Sequence, residues 1–279
     1  MFVSMKPILE EATKKGYGVV APSIFDALSI EFSFKKALAL RSPIILNTGG
    51  PFDLKFLTEV AKYYSNKYPE VPVALNLDHG DNFDQIMTAI RAGFSSVMLD
   101  RSSASFEDNV KETAEVVRAA HIVGVSVEAE LGHVGMGLQY DDSEDNLTRV
   151  EDAVKFVELT GVDFLAVAIG TAHGHYKGTP KINFQRLDEI RKAIDIPLVL
   201  HGGSSSGDDN LQKSIKHGIS KINIGTDLRD AAVHAMTDYL SDYDPHKRGI
   251  LNEIFRVSMD AYANKLEYYI KLFGSNNRW

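Results

Sequence analysis

The stretch Val73-Ala74-Leu75-Asn76-Leu77-Asp78-His79-Gly80 is the pivot of this chain. Val73, Leu75 and Leu77 alternate as the apolar positions of a buried strand do. That strand ends in a polar pair, Asp78 and His79, and Gly80 allows a sharp turn. An adjacent carboxylate and imidazole at a strand end can supply an acid–base group and a metal ligand in one place. Asp-His is also an ordinary turn dipeptide, so the meaning of the pair depends on what the rest of the chain brings to it.

Outward from this strand, helix and strand patterns alternate. Before it, the spacing predicts a helix over 4–15 opened by Ser4, a strand over 16–21, a helix over 27–40, a strand over 42–47 and a helix over 52–65. The central strand covers 71–77. After it come a helix over 83–92 with Gly93 as C-cap, a strand over 95–100 and a helix capped by Ser105. Next are a strand over 125–130 and a helix opened by a Thr148/Glu151 capping box and closed at Gly161. Strands over 163–169, 196–201 and 221–224 then alternate with helices over 184–194 and 211–217, and the remainder reads as mostly helical. No Pro/Gly/Ser-rich linker interrupts the series. About eight βα units in roughly 225 residues is the size of a (β/α)8 TIM barrel, with extra N-terminal and C-terminal helices and one domain over 1–279. A doubly wound open sheet fits less well, because no G-x-G-x-x-G follows the first strand.

Composition excludes several classes. A net charge of −8 argues against a nucleic-acid or anionic-membrane surface. No apolar run approaches the roughly 18 residues of a membrane span, and Met1-Phe2-Val3-Ser4-Met5-Lys6 has no signal-peptide character, so a cytoplasmic location is expected. There are no cysteines, so a transition-metal site must draw on the nine histidines and on carboxylates.

Active sites of such barrels lie at the C-terminal ends of the strands. The predicted ends carry Asp78 and His79, Asp100, Glu130, His173, His201 and Asn223. His79, His173 and His201 would converge at one mouth, and three imidazoles with an open position form a catalytic zinc arrangement. His133 and His175 lie near strand ends and could compete as ligands, whereas His121, His217, His234 and His246 fall on helices or late loops. The Gly/Ser stretch His201-Gly202-Gly203-Ser204-Ser205-Ser206-Gly207 and the segment Asn223-Ile224-Gly225-Thr226 leave the last two strands, where barrels often hold phosphate on backbone N–H groups.

Leu77-Asp78-His79-Gly80, Val127-Glu128-Ala129-Glu130-Leu131-Gly132, Ala168-Ile169-Gly170-Thr171-Ala172-His173-Gly174, Leu200-His201-Gly202-Gly203 and Lys221-Ile222-Asn223-Ile224-Gly225-Thr226 together resemble the class II, zinc-dependent ketose-bisphosphate aldolases. The likeness runs from about Val3 to Phe273-Gly274-Ser275-Asn276 and is closer to the tagatose-bisphosphate aldolase branch than to the long fructose-bisphosphate form. The resemblance implies aldol cleavage of a ketose bisphosphate to dihydroxyacetone phosphate and an aldehyde. It implies that Asp78 exchanges a proton with the C4 hydroxyl oxygen and that His79, His173 and His201 bind one catalytic Zn2+. Gly174, Gly202, Gly203, Ser204, Asn223, Ile224, Gly225 and Thr226 match the segments that hold dihydroxyacetone phosphate, and Asp100 and Glu130 match carboxylates near the metal or a second cation. Arg256 matches an arginine that reaches a neighbouring subunit's site, which implies a homodimer or homotetramer; some tagatose enzymes also work with a non-catalytic subunit. A carboxylate on a mobile loop is expected to handle the C1/C3 proton, with Asp141, Asp142, Glu144 and Asp145 as candidates.

The chain departs from the family pattern at Ala21-Pro22-Ser23-Ile24-Phe25-Asp26, Asn76, Asp100-Arg101-Ser102, Val134-Gly135-Met136 and Asn47-Thr48-Gly49. None of these is a metal or dihydroxyacetone phosphate position, and most would touch the aldehyde pocket. The expectation is a retained aldol reaction with an unusual acceptor. A Schiff-base aldolase would need a lysine at a strand's C-terminal end, and Lys221 and Lys177 are misplaced for that. A zinc hydrolase would need a bridging lysine or an early His-x-His, and neither is evident. A non-catalytic sugar-phosphate-binding barrel is disfavoured by the presence of Asp78 with all three histidines.

Overall fold

Eight parallel strands alternate with helices along the chain. The computed structural model describes residues 1–137, 147–241, 244, 246 and 250–279. The strands are β1 (Val19–Pro22), β2 (Ile44–Thr48), β3 (Val73–Gly80), β4 (Ser96–Leu99), β5 (Ser126–Leu131), β6 (Phe164–Val167), β7 (Leu198–Leu200) and β8 (Ile219–Ile224). The helices are α1 (Met5–Lys15), α2 (Ala27–Leu40), α3 (Leu54–Lys67), α4 (Phe83–Ala92), α5 (Phe106–Ile122), α6 (Val150–Thr160), α7 (Phe184–Ala193), α8 (Asp208–Lys216), α9 (Thr226–Ser241) and α10 (Ile250–Leu272). The sheet runs β1-β8-β7-β6-β5-β4-β3-β2. The seam between β1 and β2 is drawn together by a parallel bridge from Ser23 to Asn47, with Ile24 N–H donating to the Asn47 carbonyl at 2.8 Å. The result is a (β/α)8 TIM barrel with an added C-terminal helix.

Alternation along each strand divides the core in two. Val73, Leu75, Leu77, Val97, Leu99, Ile222 and Ile224 face outward into the layer shared with the helices. Val19, Ala21, Ile45, Ala74, Phe164, Ala166 and Val199 face inward and pack with Met5, Leu9 and Ala12 of α1. That helix plugs the N-terminal end of the barrel, where Met5 N–H donates to Ser96 Oγ at 2.9 Å. At the seam, Tyr262 on α10 donates its hydroxyl to the Ser23 carbonyl at 3.0 Å.

Several local expectations need correction. Ser4 precedes α1 but makes no side-chain cap. Thr148 and Glu151 do not form a capping box: Arg149 is the N-cap of α6. The Thr148 hydroxyl instead bonds the Leu131 carbonyl and accepts from Ala168 N–H at 2.8 Å, so it ties the ends of β5 and β6 together. Helix α8 begins at Asp208 rather than at 211, with Asp208 and Asp209 in a first turn that favours negative charge. Strand β8 begins at Ile219, so Lys221 is an interior strand residue and not its start. No helix among the described residues is long and apolar enough to cross a membrane.

Candidate active site

Strict alternation would place Asp78 inside the barrel with Asn76 and send His79 outward. The β3–β4 register shifts between Leu77 and Gly80, and His79 adopts φ 51°. A positive φ at a non-glycine residue is uncommon and often marks a functional position, and a bulge re-aims side chains beside active sites. Here it turns His79 to the barrel mouth next to Asp78. The adjacent dipeptide thus reaches one cavity by two backbone conformations.

His173 follows β6 and His201 follows β7. Tyr176 joins the two loops: its hydroxyl accepts from Ala172 N–H at 2.7 Å and lies 2.8 Å from the Gly202 carbonyl. Gly202 is required there, because it has φ 68° and a Cβ on it would lie 2.2 Å from the Ala172 carbonyl oxygen. The ring centroids of His79 lie 4.9 Å from His173 and 4.6 Å from His201.

Each imidazole has one nitrogen anchored. His79 Nδ1 pairs with Asp100 Oδ2 at 2.7 Å, His201 Nε2 with Glu128 Oε1 at 2.8 Å, and His173 Nδ1 with the Val134 carbonyl at 3.2 Å. Those acceptors place the ring proton on the anchored nitrogen and leave the other lone pair free. The free nitrogens face one another: His79 Nε2 is 3.0 Å from His201 Nδ1, and His173 Nε2 is buried with no partner. The three rings offer ligand atoms within 4.8 Å of one another. Two facing lone pairs and an orphaned buried nitrogen are what a cation would satisfy, so the donor set fits a transition metal.

Electrostatics agree. Burial, together with the charge of His79, pushes His173 and His201 down toward the neutral form a ligand needs. Burial opposes charge on His79, but Asp78, Asp100 and Glu130 outweigh it and raise the group to about 9. A proton there holds the place of a cation among these carboxylates. Asp100 is held well below the usual carboxylate range, because its bonds to His79 and Ser102 overcome burial. Burial and the Asp100 charge push Glu130 up to about 8, and its Oε2 has no hydrogen-bond partner. His79, Asp100 and Glu130 form a second group with metal-ligand spacing.

Asp78 Oδ1 accepts from Asn223 Nδ2 at 3.1 Å across the mouth. Gly174, Gly202, Ser204, Asn223, Gly225 and Thr226 line a cavity of about 180 Å³ with Asp78, His79 and His173. Ser204 Oγ accepts from Gly225 N–H at 3.2 Å and Asp227 N–H at 3.3 Å, which fixes the loop after β7 against the N-terminus of α9. Gly203 is buried behind this loop against Ile222, and Ile224 packs in the outer layer, so neither presents a side chain to the cavity.

Other expected residues lie elsewhere. Arg256 is exposed on α10, pairs with Asp260 at 3.2 Å and is not among the residues lining the cavity with Asp78, His79 and His173. His133 lies 3.0 Å from Ser102 Oγ and His175 pairs with Asp230 at 3.4 Å, so neither joins the imidazole group. Asp141, Asp142, Glu144 and Asp145 lie outside the described residues. Lys177 is exposed, and the Lys221 ammonium is buried against Glu128, so neither presents a free amine at the mouth. Sequence reading gave no site role to Glu128, Tyr176 or Arg229 and weighed Lys221 only as a Schiff-base lysine, whereas Ser23, in a segment expected at the aldehyde pocket, does line the mouth. Glu128 had a signal: like Glu130 it is a charged residue on the inward face of a central strand.

The chain matches the family model of class-II fructose-bisphosphate aldolase over residues 3–278. Among solved structures it is similar to the YdjI aldolase from Escherichia coli K12, at 32% identity and TM-score 0.88, covering 100% of this chain and 99% of that one. The fold is also shared with the fructose-bisphosphate aldolase of Campylobacter jejuni, at 22% identity and TM-score 0.83, covering 100% of this chain and 97% of that one.

Proposed function

The chain belongs to the class-II fructose-bisphosphate aldolase family, and on that footing we propose that it catalyses metal-dependent, reversible aldol cleavage of a ketose phosphate. The products are dihydroxyacetone phosphate and an aldehyde, as with tagatose- or fructose-1,6-bisphosphate. The observation that carries this reading is the set of free nitrogens on His79, His173 and His201 beside the Asp78 carboxylate.

His79, His173 and His201 would hold a zinc ion, and Asp100 with Glu130 a second cation. Bound zinc supplies Lewis-acid polarisation of the donor's carbonyl oxygen. The chain's own groups do the rest. In cleavage, Asp78 takes the C4 hydroxyl proton as the C3–C4 bond breaks and the aldehyde forms. In condensation it returns that proton to the aldehyde oxygen. Asn223 donates to Asp78 Oδ1 and so fixes the direction of the carboxylate. Gly202, Gly225 and Thr226 at the start of α9 line the same cavity, and this end of it binds the donor's phosphate, as helix N-termini do. A carboxylate of the 138–146 segment carries the donor's C–H proton.

The same reading makes the chain one aldolase domain over 1–279, cytoplasmic, acting as a homodimer or homotetramer in which Arg256 serves the neighbouring copy. The test is incubation with dihydroxyacetone phosphate in heavy water, followed by proton NMR. Stereospecific C–H exchange that a chelator abolishes and zinc restores is expected. No exchange from zinc-loaded protein would sink the proposal.

A further inference from the structure

Ser204, Gly225 and Thr226 line the cavity that contains Asp78 and His79. The residues that follow two of them, Ser205 and Asp227, instead line a separate cavity of about 450 Å³ behind this wall. On that rear side the loop after β7 and the first turn of α9 are clasped together. The Asp227 carboxylate accepts from Ser205 N–H at 2.9 Å and from the Ser205 hydroxyl at 2.7 Å. Tyr269, buried on α10, donates its hydroxyl to the same carboxylate.

Two features show that this clasp holds the loop in a conformation it would not keep alone. Ser205 stands at φ 58°, in the left-handed region that a residue with a side chain seldom adopts. Such strain persists where the surroundings over-determine it, and here Asp227 takes both donors of Ser205. Tyr269 is the second feature. A phenylalanine would pack equally well between Tyr268 and Phe273, so the work of its hydroxyl is the bond to Asp227. Burial and that bond hold the phenol well above its ordinary value, and it stays a donor.

Resting on the aldolase reading, we propose that Tyr269 is a positioning residue for the donor's phosphate. It holds Asp227, Asp227 holds Ser205, and the loop after β7 thereby keeps Ser204 in place beside Gly225 and Thr226 at the phosphate end of the cavity. Without the hydroxyl, Ser205 relaxes toward an ordinary φ and Ser204 shifts with it. The three imidazoles have their own anchors in Asp100, Glu128 and the Val134 carbonyl. The loss therefore falls on donor binding, alike in ground and transition states, and not on the chemical step.

The test follows C–H exchange of dihydroxyacetone phosphate in heavy water by proton NMR, at a series of donor concentrations, with zinc-loaded full-length protein. Exchange needs no aldehyde, and the half-saturating concentration does not depend on the folded fraction. In Tyr269→Phe that concentration is expected to rise by roughly fivefold or more, the effect of one lost hydrogen bond, with the maximal rate within about threefold of the parent. Asp227→Asn, which turns an amide N–H₂ toward one of its donors, is expected to raise it as well. Tyr268→Phe removes the neighbouring hydroxyl from Asp208 on α8 and is expected to leave it unchanged. Zinc affinity, read by chelator competition, is expected to be the same in all four proteins. An unchanged half-saturating concentration in Tyr269→Phe, whatever its maximal rate, overturns the inference and leaves the aldolase reading standing. An equal rise in Tyr268→Phe, or a parallel fall in zinc affinity, also overturns it, since either would mean a general loosening by α10. Absence of exchange in the zinc-loaded parent overturns both.

Discussion

Lys221 Nζ lies 2.7 Å from Glu128 Oε2 inside the barrel, and both side chains are fully buried. The other Glu128 oxygen holds His201 Nε2 at 2.8 Å. A lysine on β8 thus pairs with a carboxylate on β5, and that carboxylate sets which nitrogen of His201 faces the mouth. Glu128→Gln turns an amide N–H₂ toward either Lys221 or His201. Metal affinity is expected to fall about 10–100-fold, as for other outer-shell partners, measured by chelator competition with the fold checked by circular dichroism. Lys221→Met strands a buried carboxylate and should cost about 3–5 kcal/mol. The double variant, with both charges gone, should recover most of that stability in urea melts. Equal instability of single and double variants would show that the pair does not act as a unit.

Asp78 is the only carboxylate among the described residues that lines both the cavity it shares with His79 and the adjoining larger one, of about 580 Å³. Asp78→Asn keeps the acceptor for Asn223 and removes the proton carrier. Cleavage is expected to slow by about 10²–10⁴-fold, the usual range for a general acid–base group. Donor C–H exchange, which does not involve the C4 oxygen, should slow by at least tenfold less. Parallel losses in the two assays would assign Asp78 to the donor side instead.

Gly202 stands at φ 68° between the two histidine loops, and its missing Cβ leaves room for the Ala172 carbonyl. Gly202→Ala combines left-handed strain with a backbone clash, for an expected cost of about 1–3 kcal/mol. The displacement falls on the loops carrying His173 and His201, so zinc affinity should drop with the melting temperature. A stable variant with intact zinc binding would contradict the close approach.

At the other end of the barrel, buried Asp163 accepts from Val127 N–H at 2.8 Å and pairs with His121 at 2.8 Å and Lys6 at 2.9 Å. Burial works against its charge, but these partners hold its carboxyl below the ordinary value. A lowered folded-state pKa adds stability that is full above the unfolded value, near about 3.9, and is lost as pH falls through the folded one. Asp163→Asn should therefore destabilise at pH 7, by about 1.5–3 kcal/mol for bonds to a charged group. Its deficit relative to the parent should shrink toward pH 3. Urea midpoints at the two pH values decide the matter, and a constant deficit would argue against linkage.

Local pattern carried much of this molecule. Alternation at Val73, Leu75 and Leu77, the helical faces and their Gly caps at Gly93 and Gly161 are properties of short windows, and they appear in the structure close to where the sequence puts them. Counting βα units then implies the barrel, and a barrel implies that strand-end residues such as His79, His173 and His201 share a mouth. The capping box at Thr148 failed because a hydroxyl can satisfy any nearby backbone group, and the ends of β5 and β6 were nearer than the helix.

What the sequence by itself determined was the order and type of the elements and the residues at their ends, because hydrophobic period and turn chemistry act over a few residues. Only the tertiary structure decided which side chains meet. His79 needs a bulge against β4 to face inward; Glu128 and Lys221, 93 residues apart, meet because β5 and β8 face each other across a closed barrel. The clasp of Ser205, Asp227 and Tyr269 joins the loop after β7 to α9 and α10, which no local pattern relates. Barrel closure and helix packing are long-range outcomes, and the site's chemistry is set by them.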